Sequence, residues 1–239
     1  MKKRRKAYRR KRKLKKLFLI LIFTVLTVSG FHFARKNFIF PWSNSPTTEV
    51  SKKEANTSGD WKLILVNREY SVPQDYTVEL TELSNGKKVD SRIYPALQQM
   101  FDDARANGLA LFVREAYRTH AEQQQILDDK IQKYEDQGYS IQKATQLAEE
   151  YVALPGTSEH ELGLSVDINA DTSRCSADAV YDWLDENSYQ YGFIKRYPAD
   201  KTKITGINNE PWHYRYVGTK AAKIMKEENL CLEEYLNSY

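Results

Sequence analysis

The chain has 239 residues, 28% of them charged, with four histidines and two cysteines, enough for one substantial domain plus an appendage. Its net charge of +4 is misleading as a whole: twelve of the first sixteen residues are Lys or Arg, and the remainder carries 24 Lys+Arg against 32 Asp+Glu. The part able to fold is therefore acidic, which excludes nucleic acid as a partner. Residues 1–16 read as a basic cytoplasmic tail whose charges face anionic lipid and set the topology. Leu17 to Phe33 is almost wholly apolar and, at about 1.5 Å per residue, just long enough to cross a bilayer. It predicts a transmembrane anchor, hence a single-pass protein of the cell membrane with an extracellular C-terminal domain. A cleaved signal peptide is the competing reading of so short a stretch, although no small-x-small site follows it. Residues 34–60 are rich in Ser, Thr, Asn, Pro, Lys and Glu, with no apolar period after Trp42. They predict a flexible linker with a reach of at most roughly 90 Å.

Residues 61–239 predict one domain. Trp61 to Val66 reads as a strand, and Tyr76 to Leu83 and Lys88 to Tyr94 as strands joined at Asn85-Gly86, a hairpin signal. Pro95 opens a helix stopped by Gly108, followed by a buried strand at Leu109 to Val113. Thr119-His120-Ala121-Glu122 is a capping box for a helix to about Asp136, and Ser140 caps another to about Val152. A short strand at Leu164 to Asn169, a helix from Ala177 to about Tyr189, a strand at Glu210 to Val217 and a helix at Ala221 to Glu228 complete the pattern. The mixture lacks a regular strand–helix alternation, which predicts an α+β fold, a small mixed sheet flanked by helices. Cys175 and Cys231 leave a disulfide and free thiols equally open.

The chemistry concentrates in two stretches, Ser158 to Asp167 and Glu210-Pro211-Trp212-His213. His160, Asp167 and His213 supply two imidazoles and a carboxylate, a set suited to zinc with a fourth position open for water. Asp167 stands in a strand between Val166 and Ile168, where a carboxylate needs a partner. Pro155-Gly156 and Gly163 rule out one helix carrying both His160 and Asp167, and Pro211 excludes a helical site around Glu210 and His213. Glu210 is a spare carboxylate three residues from a ligand, placed to act as general base. Trp212 and Tyr214 are expected to wall the site, and Arg118, after a buried strand, is a candidate for holding a developing oxyanion. His120 reads as an exposed helix residue and His32 as an interfacial one. Taken singly, each feature has a bland alternative, such as a salt-bridged Asp, a core His or a surface Arg.

The pattern Ser-x-His-x-x-Gly-x-x-x-Asp, then Glu-x-Trp-His, with an upstream Tyr-Arg-x-x-x-x-Gln, resembles the VanY-type zinc D,D-carboxypeptidases of peptidoglycan metabolism and vancomycin resistance. Their VanX-type dipeptidase and L,D-carboxypeptidase relatives share it. The likeness runs from about Trp61 to the C-terminus. It implies a zinc D-Ala-D-Ala carboxypeptidase domain, with Zn2+ on His160, Asp167 and His213, Glu210 as base and Arg118 at the oxyanion. It also implies that Ser158 and Gln123 hold the terminal part of a peptidoglycan stem peptide. The chain departs from the family at Glu115-Ala116, where Ser-Gly is usual, and at Ser165, where Ala is usual.

Three rivals remain in view. Trimming of tetrapeptide stems by an L,D-carboxypeptidase is not separable by composition or spacing. A non-catalytic wall-binding module would be expected to lose a ligand or the base, and all four positions are intact. Ser140-Ile141-Gln142-Lys143 matches the Ser-x-x-Lys of serine D,D-peptidases, but Lys201-Thr202-Lys203 lacks the Gly of their Lys-Thr-Gly and no Ser-x-Asn occurs. No protein partner is evident.

Overall fold

The computed structural model describes residues 53–56 and 59–239. The expectations for residues 1–16, 17–33 and most of 34–60 lie outside these; among the described residues, no helix is long and apolar enough to cross a membrane. The described residues begin inside the segment read as linker. There β1 (Lys53–Glu54) pairs in parallel with β2 (Tyr70–Ser71), and Ala55 is buried in the main core.

The strand expected at Trp61–Val66 is instead a single 3-10 turn, Trp61–Leu63, capped by the Asp60 carboxylate. The physical reason lies in its carbonyls. Those of Lys62 and Ile64 accept from the Arg215 guanidinium at 3.0 and 2.9 Å, so a side chain takes the place of a neighbouring strand. Its apolar residues also divide, with Ile64 and Val66 in the main core and Leu63 and Leu65 against a second cluster.

The expected hairpin is present but short, β3 (Leu80–Glu82) against β4 (Lys88–Asp90), with the Asn85 side-chain amide donating to the Val113 carbonyl at 2.7 Å. Helix α1 (Tyr94–Ala106) carries Pro95 in its first turn and leads to β5 (Leu111–Glu115). Thr119 forms the predicted capping box of α2 (His120–Glu135), and Ser140 caps α3 (Ile141–Glu149). Then follow β6 (Ser165–Ala170), α4 (Ala177–Asn187), β7 (Phe193–Tyr197), the one-turn α5 (Thr202–Thr205), β8 (Glu210–Tyr216), α6 (Thr219–Glu227) and α7 (Leu232–Ser238). The architecture is the α+β class expected. Cys175 and Cys231 are both free thiols, so the disulfide is not formed.

The main sheet has the order β5-β6-β8-β7 with every pair antiparallel. Side chains alternate across it, and the register sorts them sharply. Leu111, Val113, Val166, Ile168, Tyr214 and Phe193 point to one face, where α1 and α4 cover them with Leu97, Met100, Phe101, Val180 and Leu184. The opposite face carries Ser165, Asp167, Asn169, His213, Arg215 and Arg196. One face is thus the core and the other the chemistry. Ile168 is fully buried, so Ile168→Ala should cost about 2–5 kcal/mol. The Tyr214 hydroxyl is buried without a hydrogen-bond partner, so Tyr214→Phe should gain about 1 kcal/mol, or about 2–4 °C in Tm. Thermal melts of the two variants check both signs; a destabilised Tyr214→Phe is the contrary result.

Candidate metal centre and active site

His160 is delivered by a tight turn. Ser158 opens a 3-10 turn at Glu159–Leu162, its hydroxyl accepting from the His160 backbone N–H, and Glu161 closes the capping box. Gly163 ends the turn with φ +73°, and a Cβ there would lie 3.1 Å from the Asp90 backbone nitrogen. Only glycine meets both conditions at no cost. Two residues on, β6 begins, so the turn and the strand place His160 beside Asp167. Asp167 in turn is the direct cross-strand partner of His213 on β8.

The three side chains converge. Asp167 Oδ1 lies 3.4 Å from His160 Nε2 and 3.1 Å from His213 Nδ1. These atoms form a group able to hold a metal ion. Separations of this size are those of ligands around one zinc at about 2.0–2.2 Å. Asp167 Oδ1 is buried and accepts no hydrogen bond, which is how a carboxylate oxygen reserved for an ion looks. The far nitrogens differ. His160 Nδ1 donates to the Ala116 carbonyl at 2.7 Å, whereas His213 Nε2 makes no hydrogen bond and faces the Glu159 Oε2 charge at 3.6 Å. The first contact fixes the His160 ring and leaves its inner nitrogen's lone pair for a metal.

The electrostatics follow from burial and neighbours. Burial drives the His160 pKa down to about 4, with the Arg118 charge adding to the effect. For His213 burial also disfavours the charged ring, but Asp167 and Glu159 overcome it and raise the pKa to about 9. Burial would raise the Asp167 carboxyl, and the two imidazoles outweigh it, holding the group ionised. Glu210 goes the other way: burial pushes its pKa up to about 7, Asp167 helps, and His213 and Arg118 oppose.

Strict alternation from His213 would turn Glu210 to the apolar face. The register shifts between Lys195 and Tyr197, so that Tyr197 pairs with Glu210, and both residues line the cleft. Its carboxylate lies 3.7 Å from His213 Nδ1. The cleft has a volume of about 750 Å³ and is lined by all seven residues singled out in the sequence.

The structure refines several of their roles. Gln123 is buried with both ends of its amide engaged, Oε1 accepting from Arg118 at 3.0 Å and Nε2 donating to the Ala153 carbonyl at 2.7 Å. Through the first of these it positions Arg118, while it also lines the cleft where the resemblance places the substrate. Arg118 keeps a buried, unpartnered Nε and lies 4.0 Å from Asp167. Ser158 lines the cleft with its hydroxyl proton unassigned within the protein. Trp212 lines the cleft as expected, whereas Tyr214 is in the core on the other face. Glu115 is ion-paired with Lys87 at 3.0 Å, which offsets the added charge beside Arg118, and Ser165 donates to Glu159 at 3.1 Å. His120 is exposed, with Nδ1 3.2 Å from Glu161. Ser140 is a helix cap whose Lys143 donates to Gln146, so the Ser-x-x-Lys match is no catalytic pair.

What the sequence reading missed is the support beneath His213. Glu159 is wholly buried and accepts from Arg196 Nε at 2.8 Å and from Arg215 Nη1 at 2.9 Å. Arg196 makes a two-pronged contact with Glu233 at 2.8 and 2.7 Å. The available signal was an arginine beside an aromatic residue in each of two strands, Arg196 before Tyr197 and Arg215 between Tyr214 and Tyr216.

An α+β domain with a two-histidine, one-carboxylate cluster and an adjacent carboxylate of raised pKa defines a metal-dependent hydrolase. Residues 86–219 match the model of the family described as VanY, D-alanyl-D-alanine carboxypeptidase. A D-alanyl-D-alanine carboxypeptidase of Enterococcus faecalis is 54% identical over 80% of this chain and 71% of its own length. A solved structure described as VanYB in complex with D-alanine-D-alanine is 56% identical, with a TM-score of 0.73, covering 75% of this chain and all but 1% of that one (99%). Another is a Glu-to-Ala mutant of the vancomycin-resistance D,D-pentapeptidase VanY from a VanB-type cassette, in complex with Zn(II). It is 57% identical, with a TM-score of 0.73, covering 74% of this chain and 100% of that chain. The chain belongs to the VanY family of D-alanyl-D-alanine carboxypeptidases.

Because the His213 pKa is about 9 without metal, the ring is charged at neutral pH, and coordination through Nδ1 must expel its proton. Zinc uptake at pH 7 should release about one proton, and affinity should climb with pH towards that pKa. Calorimetry in two buffers of different ionisation enthalpy counts the proton; a count of zero is the contrary result.

Proposed function

We propose that this chain is a zinc D,D-carboxypeptidase that removes the C-terminal D-alanine from peptidoglycan stem peptides ending in D-Ala-D-Ala. The observation that carries this reading is the meeting of His160, Asp167 and His213 around one point with the Glu210 carboxylate 3.7 Å from the cluster. Zinc bound there supplies Lewis acidity, polarising the scissile carbonyl and making water acidic enough to attack at neutral pH.

The residues of the chain do the rest. Glu210, with a pKa raised to about 7, is matched to taking a proton from water and returning it to the departing amine of D-alanine. Arg118, steadied by Gln123, points donors at the developing oxyanion. Ser158 offers its hydroxyl to the bound peptide. The walls exclude water, which strengthens each of these interactions.

The location is part of the same proposal. The twelve basic residues within positions 1–16 and the apolar stretch 17–33 support a retained anchor, with the domain tethered outside the cell near nascent wall precursors. Fractionation of the full chain should recover it in the membrane, with the domain released by external protease; a protease-resistant, cytosolic chain is the contrary outcome.

Two measurements test the chemistry. Glu210→Ala should keep the metal and the fold yet lose about 10²–10⁴ in kcat, because nothing else in the cleft receives the proton. Activity requires Glu210 ionised, so the rate should fall as the pH drops, with its acid limb at or below about pH 7 once a divalent charge stands nearby. A chelator should abolish turnover and benzylpenicillin leave it intact. Near-normal turnover of Glu210→Ala on a pentapeptide stem would remove the base from the mechanism.

A further inference from the structure

Beyond Asp167 the chemical face of the main sheet continues past the catalytic cleft. Asn169, the next residue of β6 on that face, lines the cleft and pairs across to Phe112 on β5. Phe112 is 43% exposed, although its strand neighbours Leu111 and Val113 are buried in the core. A large aromatic ring left open at the mouth of a cavity marks a contact surface. On the opposite side the cleft is walled by α2, through Gln123, Ile126 and Lys130, and by residues 151–153. The sheet is therefore the path for the rest of a long substrate.

Phe112 opens a second cavity of about 560 Å³ at the end of β5 and β6, within the roughly 300–1,000 Å³ of small-molecule pockets. Arg105, Asp171 and Arg174 supply its charged groups. Arg105 is engaged, paired with Asp102 at 3.0 Å and lying over the Phe101 ring. Arg174 is exposed, and its guanidinium hydrogen-bonds to no described residue. Asp171 accepts from the Ser173 backbone and hydroxyl at 3.1 and 2.6 Å, which leaves lone pairs for further donors. An aromatic platform, a free planar donor and a carboxylate acceptor together suit a sugar. The negative face of the ring attracts the polarised C–H groups of a pyranose, and the polar pair meets its hydroxyl and acetamido groups.

The span fits as well. Four residues of a pentapeptide stem precede the scissile bond, about 13 Å when extended. Asp171 is four residues beyond Asp167 and, at about 3.3 Å per residue, about 13 Å from it. We propose that the cavity between Phe112 and Arg174 is a subsite for the N-acetylated aminosugar to which the stem peptide is joined. This rests on the carboxypeptidase reading above and adds what the enzyme grips at the far end of its substrate, so that glycan-linked stems are taken in preference to free peptides.

The test compares a pentapeptide stem carrying its aminosugar with the same peptide free, using the zinc-loaded full chain. The wild type should show a KM about 3–10-fold lower for the glycosylated peptide, the range of one aromatic contact with a supporting hydrogen bond, and equal kcat for both. Phe112→Ala and Arg174→Ala should each raise KM for the glycosylated peptide alone, and Phe112→Trp should retain the preference. Both side chains are exposed, so the fold survives their loss. Equal KM for the two peptides in the wild type, or a rise in both with Phe112→Ala, would overturn the proposal. So would a wild-type dimer that Phe112→Ala dissociates, since a second copy would then cover the ring. If the wild type cleaves neither peptide, the carboxypeptidase reading itself fails. NMR titration with the peptide-free aminosugar then decides the subsite: shifts at Phe112 that Arg174→Ala abolishes support it, and no shift overturns it.

Discussion

The Glu159 carboxylate holds this molecule's active site together from below. One oxygen receives Arg196 and Arg215, and the other receives Ser165 and faces the outer nitrogen of His213. Through these contacts it ties the turn that carries His160 to β6, β7 and β8, and through Arg196 and Glu233 to α7. All the charges are buried, and burial alone would neutralise the acid; the two guanidiniums overcome that and keep it ionised. A buried network of this kind contributes little net stability against an apolar alternative. Removing one partner, however, leaves the others uncompensated at a cost of about 3–5 kcal/mol. Its value here is positional: an aliphatic core could not orient an imidazole.

From that anchor the site acquires its split protonation. Two histidines whose ring centroids are 4.8 Å apart are pushed in opposite directions, His160 towards neutrality and His213 towards the cation. Both rings are buried beside Asp167; Arg118 weighs against a charge on His160, whereas Glu159 and Glu210 join Asp167 in favouring one on His213. For Glu210, burial and the Asp167 charge outweigh the opposing His213 and Arg118. One carboxylate is thereby kept charged while the pKa of the other is raised to about 7, a difference set by environment.

Much of this was legible in the sequence, and the limits have physical causes. The cluster of His160, Asp167 and His213 was readable because few other roles account for a histidine two residues after Ser158 and an aspartate between Val166 and Ile168. Capped helices such as α2 and α3 were readable because caps are local. The Trp61–Val66 segment was misread because its strand-like composition serves two separate cores and its carbonyls go to Arg215, more than 150 residues away (151 from Ile64). Strand β7 was passed over because Lys195 and Arg196 interrupt its apolar pattern, and nothing local reveals that Arg196 is buried with a partner on α7. The contact of Gln123 with Arg118 was not foreseen because motif position does not tell whether an amide also faces protein.

The pairing of Asp167 with His213 across β6 and β8 has a bearing on how the chain reaches its native state. Slipping these strands by one residue would turn every side chain to the opposite face, sending Asp167 into the helices and scattering the ligand set. Misregistered and native chains thus differ in whether they can take the ion at all. An ion that binds only the native pairing draws the folding equilibrium towards it by mass action, so the catalytic cofactor also acts as a selector of strand registry.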